Sequence, residues 1–485
     1  MPTILLTGAT GYIGRRLERA LRARQDLRLR LLVRNARKLT PKTRLHCEVI
    51  EGDSFDPAVL ERALHGVDAA YYLIHSMGTG RDFSQLDRTS AENFRTAAIA
   101  QGVRTIIYLG GLGLRDSASE HLASRMETGE ILSSQPDRIR TLWFRAGVII
   151  GAGSTSFEII RHLVEKLPLM ITPRWVKTLT QPIGVGDVIA YLVAALDLAP
   201  AGNLVIDIGA APMRFLDMLR QTAAAMGLSR LIVPVPLLSP RLSSYWLTLL
   251  TPVPFKVSAA LVEGLKSETL VQNDNARRWF PAIEPEPFAT SVAKAMAELE
   301  HDLVISRWCD SSAGAVCDIP EEPNPGGAIF RDERRVAFAP IPADRVFRAI
   351  LGLGGENGWF NYNILWRLRG LMDKLAGGYG LNRGRRAEQT LRVGDALDFW
   401  KVADIVPGKR LLLLAQMKLP GKAWLEFDLQ GEELRQTAHF LPHGLAGRLY
   451  WYAVLPFHHF VFDDLCRGII RKAAQMPDEP APIEE

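Results

Sequence analysis

The residues best suited to chemistry stand at the start of this 485-residue chain. Thr7-Gly8-Ala9-Thr10-Gly11-Tyr12-Ile13-Gly14 follows one apolar run, Thr3–Thr7, and opens a helical pattern, Tyr12–Ala23. A glycine at 8 permits a tight turn. A glycine at 11 lets the backbone approach a pyrophosphate, and one at 14 lets the helix pack close to the strand. Free N–H groups at the helix start then bind the phosphates. Thr7, Gly8, Thr10, Gly11, Tyr12, Ile13 and Gly14 are therefore the expected dinucleotide contacts. The second apolar run ends Leu32-Val33-Arg34, with Arg37 and Lys38 close behind. A carboxylate at this place would take the ribose 2′-hydroxyl of NAD(H), whereas cations suit a 2′-phosphate. NADP(H) is favoured, with NAD(H) as the alternative. Asp53 reads two ways, as a contact to the adenine amino group or as a turn-former.

The elements that must position these residues follow from hydrophobic periodicity. Strands are expected at Thr3–Thr7, Leu27–Val33, Ala69–Ile74, Thr105–Leu109 and Leu142–Ile149. Helices are expected at Tyr12–Ala23, Ala58–Leu64 and Phe83–Gln101. This alternation predicts an α/β fold, a doubly wound parallel Rossmann sheet with ligand at the carboxyl ends of its strands. A cap on the substrate side follows, with a helix over Phe157–Leu167 and another through Ala195 that Asp187 would N-cap. Residues 1–305 make this first domain, cap included.

Leu231–Phe255 is apolar and carries five prolines, which forbid one continuous helix. It reads either as an irregular cap or as a membrane-surface or partner patch. Proline, glycine and acid cluster in Cys317–Gly327, so residues 306–330 are taken as a linker. Beyond it the texture is that of an α+β unit over 331–475. A strand at Arg334–Ala339 and a helix at Pro342–Ile350 precede a glycine- and aromatic-rich segment, Gly352–Arg386. Strands at Ala396–Ile405, Arg410–Lys418, Ala423–Gln430 and Glu433–Phe440 follow, then a helix from Phe460 to Lys472. Residues 476–485 read as a disordered tail.

Composition excludes extremes. Apolar residues make up 47% and charged residues 23%, and the net charge is +5. Nucleic acid is not demanded, while anionic ligands or anionic lipid fit the mild positive balance. Four cysteines without C-x-x-C spacing suggest buried thiols in a reducing compartment. No signal peptide or spanning run is expected, so the reading is cytoplasmic. Peripheral membrane contact is expected from Leu231–Phe255 and Leu449–Phe462. No metal is expected, since Pro442 separates His439 from His443. Arg383, Arg385 and Arg386 read as an anion-binding loop or a solvated basic turn.

TGATGYIG, EGDSFDP, Asn93 in the long helix, IIYLGGLG, FRAGVIIG and QPIGVGDV together resemble the atypical and extended short-chain dehydrogenase/reductases. The NmrA-like group, which includes a nucleotide-binding subunit of respiratory complex I, is the most similar. The resemblance covers about residues 1–300. It implies a catalytic serine after the fifth strand, then a tyrosine and lysine four apart on the next helix. Here the strand ends Leu109-Gly110-Gly111, and His121 and Arg125 occupy the tyrosine and lysine places. Histidine exchanges protons near neutral pH, and an arginine on the same helix face holds a ribose or an oxyanion. His121 and Arg125 stand either as catalytic residues or as ordinary lining. His75, a candidate cofactor contact, and Ser76 belong to the same cleft edge, and Tyr108 to the core. The stretches GGENGWFNYNILWRLRGLMDKLAGGYGLNRGRR, VGDALDFWKV, MKLPGKAWLEF and GLAGRLYWYAVLPFHHFVF resemble a domain of unknown function fused to such reductases. Its element order is similar to the START-like helix-grip fold. That implies an apolar cavity, which Trp359, Trp366, Trp400, Trp424, Trp451 and Tyr452 would line unless they fill a core.

Two functions are consistent with this. One is an NADP(H)-dependent oxidoreductase for an apolar carbonyl, quinone or isoprenoid-type substrate. The other is a cofactor-binding sensor or assembly protein without turnover.

Overall fold

The computed structural model describes residues 1–75, 83–115, 118–235, 267–300, 306, 330–360, 362–375, 385, 391–442 and 444–477. The chain divides into two compact units, Met1–Ala313 and Gly314–Glu485.

The first unit alternates strands and helices as its periodicity demands. β1 (Thr3–Thr7), α1 (Tyr12–Arg22), β2 (Arg28–Val33), α2 (Pro41–His46), β3 (Glu48–Glu51), α3 (Pro57–Leu64), β4 (Ala69–Tyr72), α4 (Phe83–Ala100), β5 (Thr105–Gly111), α5 (Glu120–Leu132) and β6 (Arg140–Ala146) come first. Then follow β7 (Ile149–Ile150), α6 (Thr155–Lys166), β8 (Leu169–Pro173), β9 (Leu179–Thr180), β10 (Ile183–Gly184), α7 (Val185–Ala194), β11 (Leu204–Ile208), β12 (Met213–Arg214), α8 (Phe215–Ala225), β13 (Leu231–Val235), α9 (Asn275–Trp279) and α10 (Phe288–Glu300).

Seven of these strands form one parallel sheet in the order β11-β6-β5-β4-β1-β2-β3. Helices on both faces explain why β1 is buried at nearly every position rather than at alternate ones. Strand order reverses between β1 and β4, which opens a ligand crevice at their carboxyl ends. The cap packs Phe157 of α6, Phe215 of α8 and Val292 of α10 into a separate buried cluster. Arg16 of α1 ties the two parts together, reaching Glu298 of α10 at 2.7 Å and the Ala152 carbonyl at 3.0 Å.

Two local expectations are corrected. The run Leu142–Ile149 breaks after Ala146, because Gly147 passes so close to the Gln181 carbonyl that no Cβ would fit. Asp187 does not cap α7, whose N-cap is Gly184. Its carboxylate instead accepts from Glu286 N at 3.0 Å, pinning the chain before α10. Of Leu231–Phe255, only β13 lies among the described residues, where it pairs in parallel with β8.

The second unit consists of β14 (Phe330–Ala337), α11 (Ala343–Leu351), α12 (Asn363–Leu375), β15 (Ala396–Leu397), β16 (Trp400–Val406), β17 (Arg410–Ala415), β18 (Gly421–Gln430), β19 (Glu433–Pro442) and α13 (Gly444–Gln475). Its six strands form an antiparallel sheet, β14-β19-β18-β17-β16-β15. The span Ala396–Ile405 is two strands, because Asp398, at φ 54°, turns the chain between them. The glycine-rich segment contains a helix, α12. The final helix begins well before Phe460 and runs through Pro456.

Trp359 packs on Trp366 and Trp400, with ring centroids 5.2 and 6.4 Å away. Trp451 stacks on Phe330 and Phe440. Trp424 belongs to a different cluster, with Ala403 and Leu412, and Tyr452 faces outward. The six aromatics therefore do not line one space. Arg385 is buried and donates to the Leu351 and Leu353 carbonyls, so it is not part of a solvated turn; Arg383 and Arg386 lie outside the described residues. His439 pairs with Glu426 at 2.9 Å, and His443 lies outside the described residues. Cys47 and Cys466 are buried free thiols; Cys309 and Cys317 lie outside the described residues. The proposed linker and tail fall almost wholly outside them as well. Among the described residues no helix is long and apolar enough to cross a membrane.

Candidate functional site

The glycine turn is built as its spacing requires. Gly8 has φ 70°, and a Cβ there would collide with the Leu73 carbonyl on the neighbouring strand's extension. A Cβ on Gly14 would collide with the Gly8 carbonyl, so the helix lies directly against the turn. Gly11 is the N-cap of α1, and its N–H donates to the Gly8 carbonyl at 2.9 Å. No side chain caps α1, which leaves its first N–H groups for an anion.

The other expected contacts divide. Thr10 offers its carbonyl to Arg15 Nε at 3.2 Å, and Arg15 Nη2 reaches the Lys38 carbonyl at 3.1 Å. One arginine thus joins the glycine turn to the loop after β2. Arg34 and Arg37 are exposed on that loop. Asn35 accepts from Arg37 N at 2.8 Å, and Glu51 accepts from Ala36 N at 2.8 Å, so both cations ride on an ordered turn.

Thr7 has no hydroxyl to spare: Oγ1 donates to the Tyr71 carbonyl at 2.9 Å and accepts from Leu73 N at 3.2 Å. Ile13 is half-buried against the core. The Tyr12 ring lies under the Arg16 guanidinium, and burial raises its phenol above the ordinary value. Asp53 accepts from Phe55 N at 3.1 Å, the turn-forming role. Asn93 Nδ2 reaches the Phe55 carbonyl at 3.5 Å.

Beyond the turn, the carboxyl ends of β4 and β5 bring two histidines together. His75 and His121 lie with ring centroids 6.3 Å apart, nearly perpendicular. His121 and Arg125 share α5, which Ser119 caps by accepting from Leu122 N. Tyr108 lies in the core, as expected, and its hydroxyl donates to the Arg125 carbonyl at 2.9 Å. Gly111 ends β5 where the reductase pattern has serine. A Cβ there would meet Leu122 Cδ1 at 2.8 Å and Arg125 Nη1 at 4.0 Å, so Arg125 stands beside the vacated position.

Sequence reasoning missed a second layer. His75 Nδ1 is 2.8 Å from Asp87 Oδ2, and the same oxygen accepts from Ser124 Oγ at 3.0 Å. Asp87 is buried on α4, and Ser124 is buried on α5. His75 Nε2 is buried with no hydrogen-bond partner among the described residues. Burial lowers the His75 pKa from its ordinary value; Asp87 opposes this and the Arg125 charge adds to it. Burial lowers His121 too, followed by the His75 charge. Both rings are thus biased toward the neutral form. Ser76 lies outside the described residues. Another missed pair joins two neighbouring strands: Arg145 at the end of β6 grips Asp207 of β11 at 2.6 and 2.9 Å. Asp207 also accepts from Gln272 N at 2.8 Å.

Comparison with known proteins accords with this fold. Residues 8–135 match the family model described as NAD(P)H-binding, and residues 325–465 match a protein family of unknown function, DUF2867. Ceramide reductase of Caulobacter vibrioides is 28% identical over 242 residues, which span 48% of this chain and 73% of that one. A (4-alkanoyl-5-oxo-2,5-dihydrofuran-3-yl)methyl phosphate reductase of Streptomyces griseus is 33% identical over 124 residues, 26% of this chain and 40% of that one. The NADP(H) complex of Citrobacter sp. triphenylmethane reductase superposes with a TM-score of 0.50 at 18% identity, covering 60% of this chain and 99% of that one. The first unit has a Rossmann fold and carries an NAD(P)H-binding domain.

Proposed function

We propose that this protein is an NADP(H)-dependent reductase of an apolar carbonyl compound. The observation that carries the reading is the pairing of His121 and His75 beside Arg125, at the carboxyl edge of the sheet that holds the glycine turn. The two reductase relatives support the reaction class, and the ceramide reductase supports a lipid-like substrate over a polar one. A long-chain ketone joins quinones and isoprenoids as the substrate class.

The residues fit the cofactor, because the close Gly8–Gly14 contact sets the uncapped N-terminus of α1 at the end of β1. The uncapped α1 N-terminus would hold the pyrophosphate, and Arg34 with Arg37 would hold the 2′-phosphate. When bound, the cofactor would supply or accept a hydride. His121 would pass a proton to or from the substrate oxygen, the exchange an imidazole performs. Arg125 keeps its charge and steadies the developing oxyanion or the ribose, but is no base. His75, held by Asp87, positions the pocket wall opposite His121. In this reading the second unit is a START-like helix-grip domain that presents the apolar substrate.

The test is steady NADPH oxidation by the full chain against a panel of long-chain ketones and quinones. Turnover that falls by about a hundredfold or more in His121→Ala supports the proposal. Tight cofactor binding with no turnover on any panel member overturns it and leaves the sensor or assembly role.

A further inference from the structure

We infer that α12 and the first half of α13 together form a docking face for an anionic lipid bilayer. Fifteen large apolar side chains are well exposed among the described residues, and eight of them lie on these two helices. On α12 they are Ile364, Leu368, Leu371 and Met372, spaced to share one helix face. On α13 they are Leu449, Tyr452, Phe457 and Phe460. All eight are between 47% and 74% exposed. The inner faces of both helices are already in use, since Trp366 and Phe462 meet each other in the core at 6.4 Å. The helices meet where the Arg369 guanidinium lies 5.7 Å from the Tyr450 ring.

Charge decides the occupant. Residues 444–462 contain no carboxylate, and residues 363–375 contain one, Asp373. Asp373 is buried and accepts from Lys418 N at 2.7 Å. The exposed charges are cationic, with Arg367 on α12 and Arg448 on α13. Their stems can lie along apolar surface while the guanidinium groups meet lipid phosphates. Tyr452 suits the headgroup level, and Phe457, Phe460 and Ile364 suit the acyl boundary. A second copy fits less well. An isologous contact presents the same patch from both sides, so these arginines would face a surface equally poor in carboxylates. The inference is independent of the reductase reading, because its readout does not involve turnover.

The experiment is co-sedimentation of the full chain with vesicles of phosphatidylcholine containing phosphatidylglycerol, and with phosphatidylcholine alone. Two double variants are compared, Leu368→Glu with Leu371→Glu, and Phe457→Glu with Phe460→Glu. All four sites are exposed, and circular dichroism with NADPH binding verifies folding. The expected result is binding to the anionic vesicles that weakens as salt rises and drops at least about tenfold in each variant. Failure of the wild type to sediment, or binding unchanged in both variants, overturns the inference. So does a wild-type dimer that the variants dissociate and that ignores vesicles, which would mean a second copy covers this face.

Discussion

Asp87 holds His75 by its Nδ1, ring nitrogen to carboxylate oxygen 2.8 Å, from twelve residues further along the chain. The carboxylate fixes the neutral ring with its proton on Nδ1 and leaves Nε2 as the inward acceptor. Asp87, Arg125 and His121 all face this ring, and burial still sets the sign of its lowered pKa. Above the ordinary pKa of 6.5 the folded and unfolded imidazoles are both neutral, and the contribution to stability is intact. As pH falls below that value the unfolded ring takes a proton that the folded ring resists. Stability is then lost until the lowered folded pKa is reached, at about 1.4 kcal/mol per unit of depression. Urea denaturation at about pH 7.5 and about pH 5.5 should show this loss. His75→Gln should shrink it, leaving the share that His121 contributes with the same sign. An unchanged pH slope in the variant would mean His75 is not the group responsible.

Gly14→Ala should remove cofactor binding and destabilise the first unit by about 1–3 kcal/mol, since the new methyl meets backbone rather than a flexible side chain. Gly186→Ala is the matched control. It lies in α7 with nothing within 4 Å of the added Cβ, so stability should hold or rise by up to about 1 kcal/mol. Thermal melts with NADPH titration compare the two. Equal behaviour would contradict the close helix–turn contact.

Asp398→Asn should stabilise the second unit at neutral pH. Burial pushes the Asp398 carboxyl up from 3.8 to about 6, while Trp359 Nε1 and Gly355 N both donate to its Oδ2, at 2.7 and 3.1 Å. An asparagine Oδ1 can keep both bonds, tolerates the positive φ and removes the buried charge. In the native protein the folded carboxyl binds a proton that the unfolded one has lost between about pH 6 and 3.8, so stability falls as pH rises through that window. The gain in the variant should be on the order of 1–3 kcal/mol at pH 7, reduced by any attraction lost to Arg385. Denaturation that shows a loss instead would mean the carboxylate is ionised and favourably paired.

The glycine turn, the parallel sheet and the basic loop were legible because each depends on residues adjacent in sequence. Gly8 and Gly14 signal their roles within one strand–turn–helix unit. The Asp87–His75–Ser124 cluster was not legible, because it joins two helices and a strand end and no local pattern marks a buried carboxylate. Arg145 and Asp207 meet only where β6 and β11 run side by side, 62 residues apart. The helix α12 was hidden by its own surface: Ile364, Leu368 and Met372 point outward and blur the polar face that amphipathic reading relies on. The first half of α13 was hidden by Pro456. Its side of the helix is exposed, so water can serve the carbonyl that the missing N–H leaves free. The wrong N-cap at Asp187 has the same lesson, since its carboxylate serves a backbone N–H 99 residues away.

Calorimetric titration of the full chain with NADPH and with NADH, repeated on Arg34→Ala, tests the central claim most directly. The account predicts tighter binding of NADPH than of NADH, with a loss in Arg34→Ala that falls on NADPH alone and is roughly tenfold, one charge-assisted phosphate contact. Equal affinity for both cofactors, or a loss shared equally between them, would contradict the assignment of Arg34 to the 2′-phosphate. Absence of binding to either would contradict the cofactor site itself.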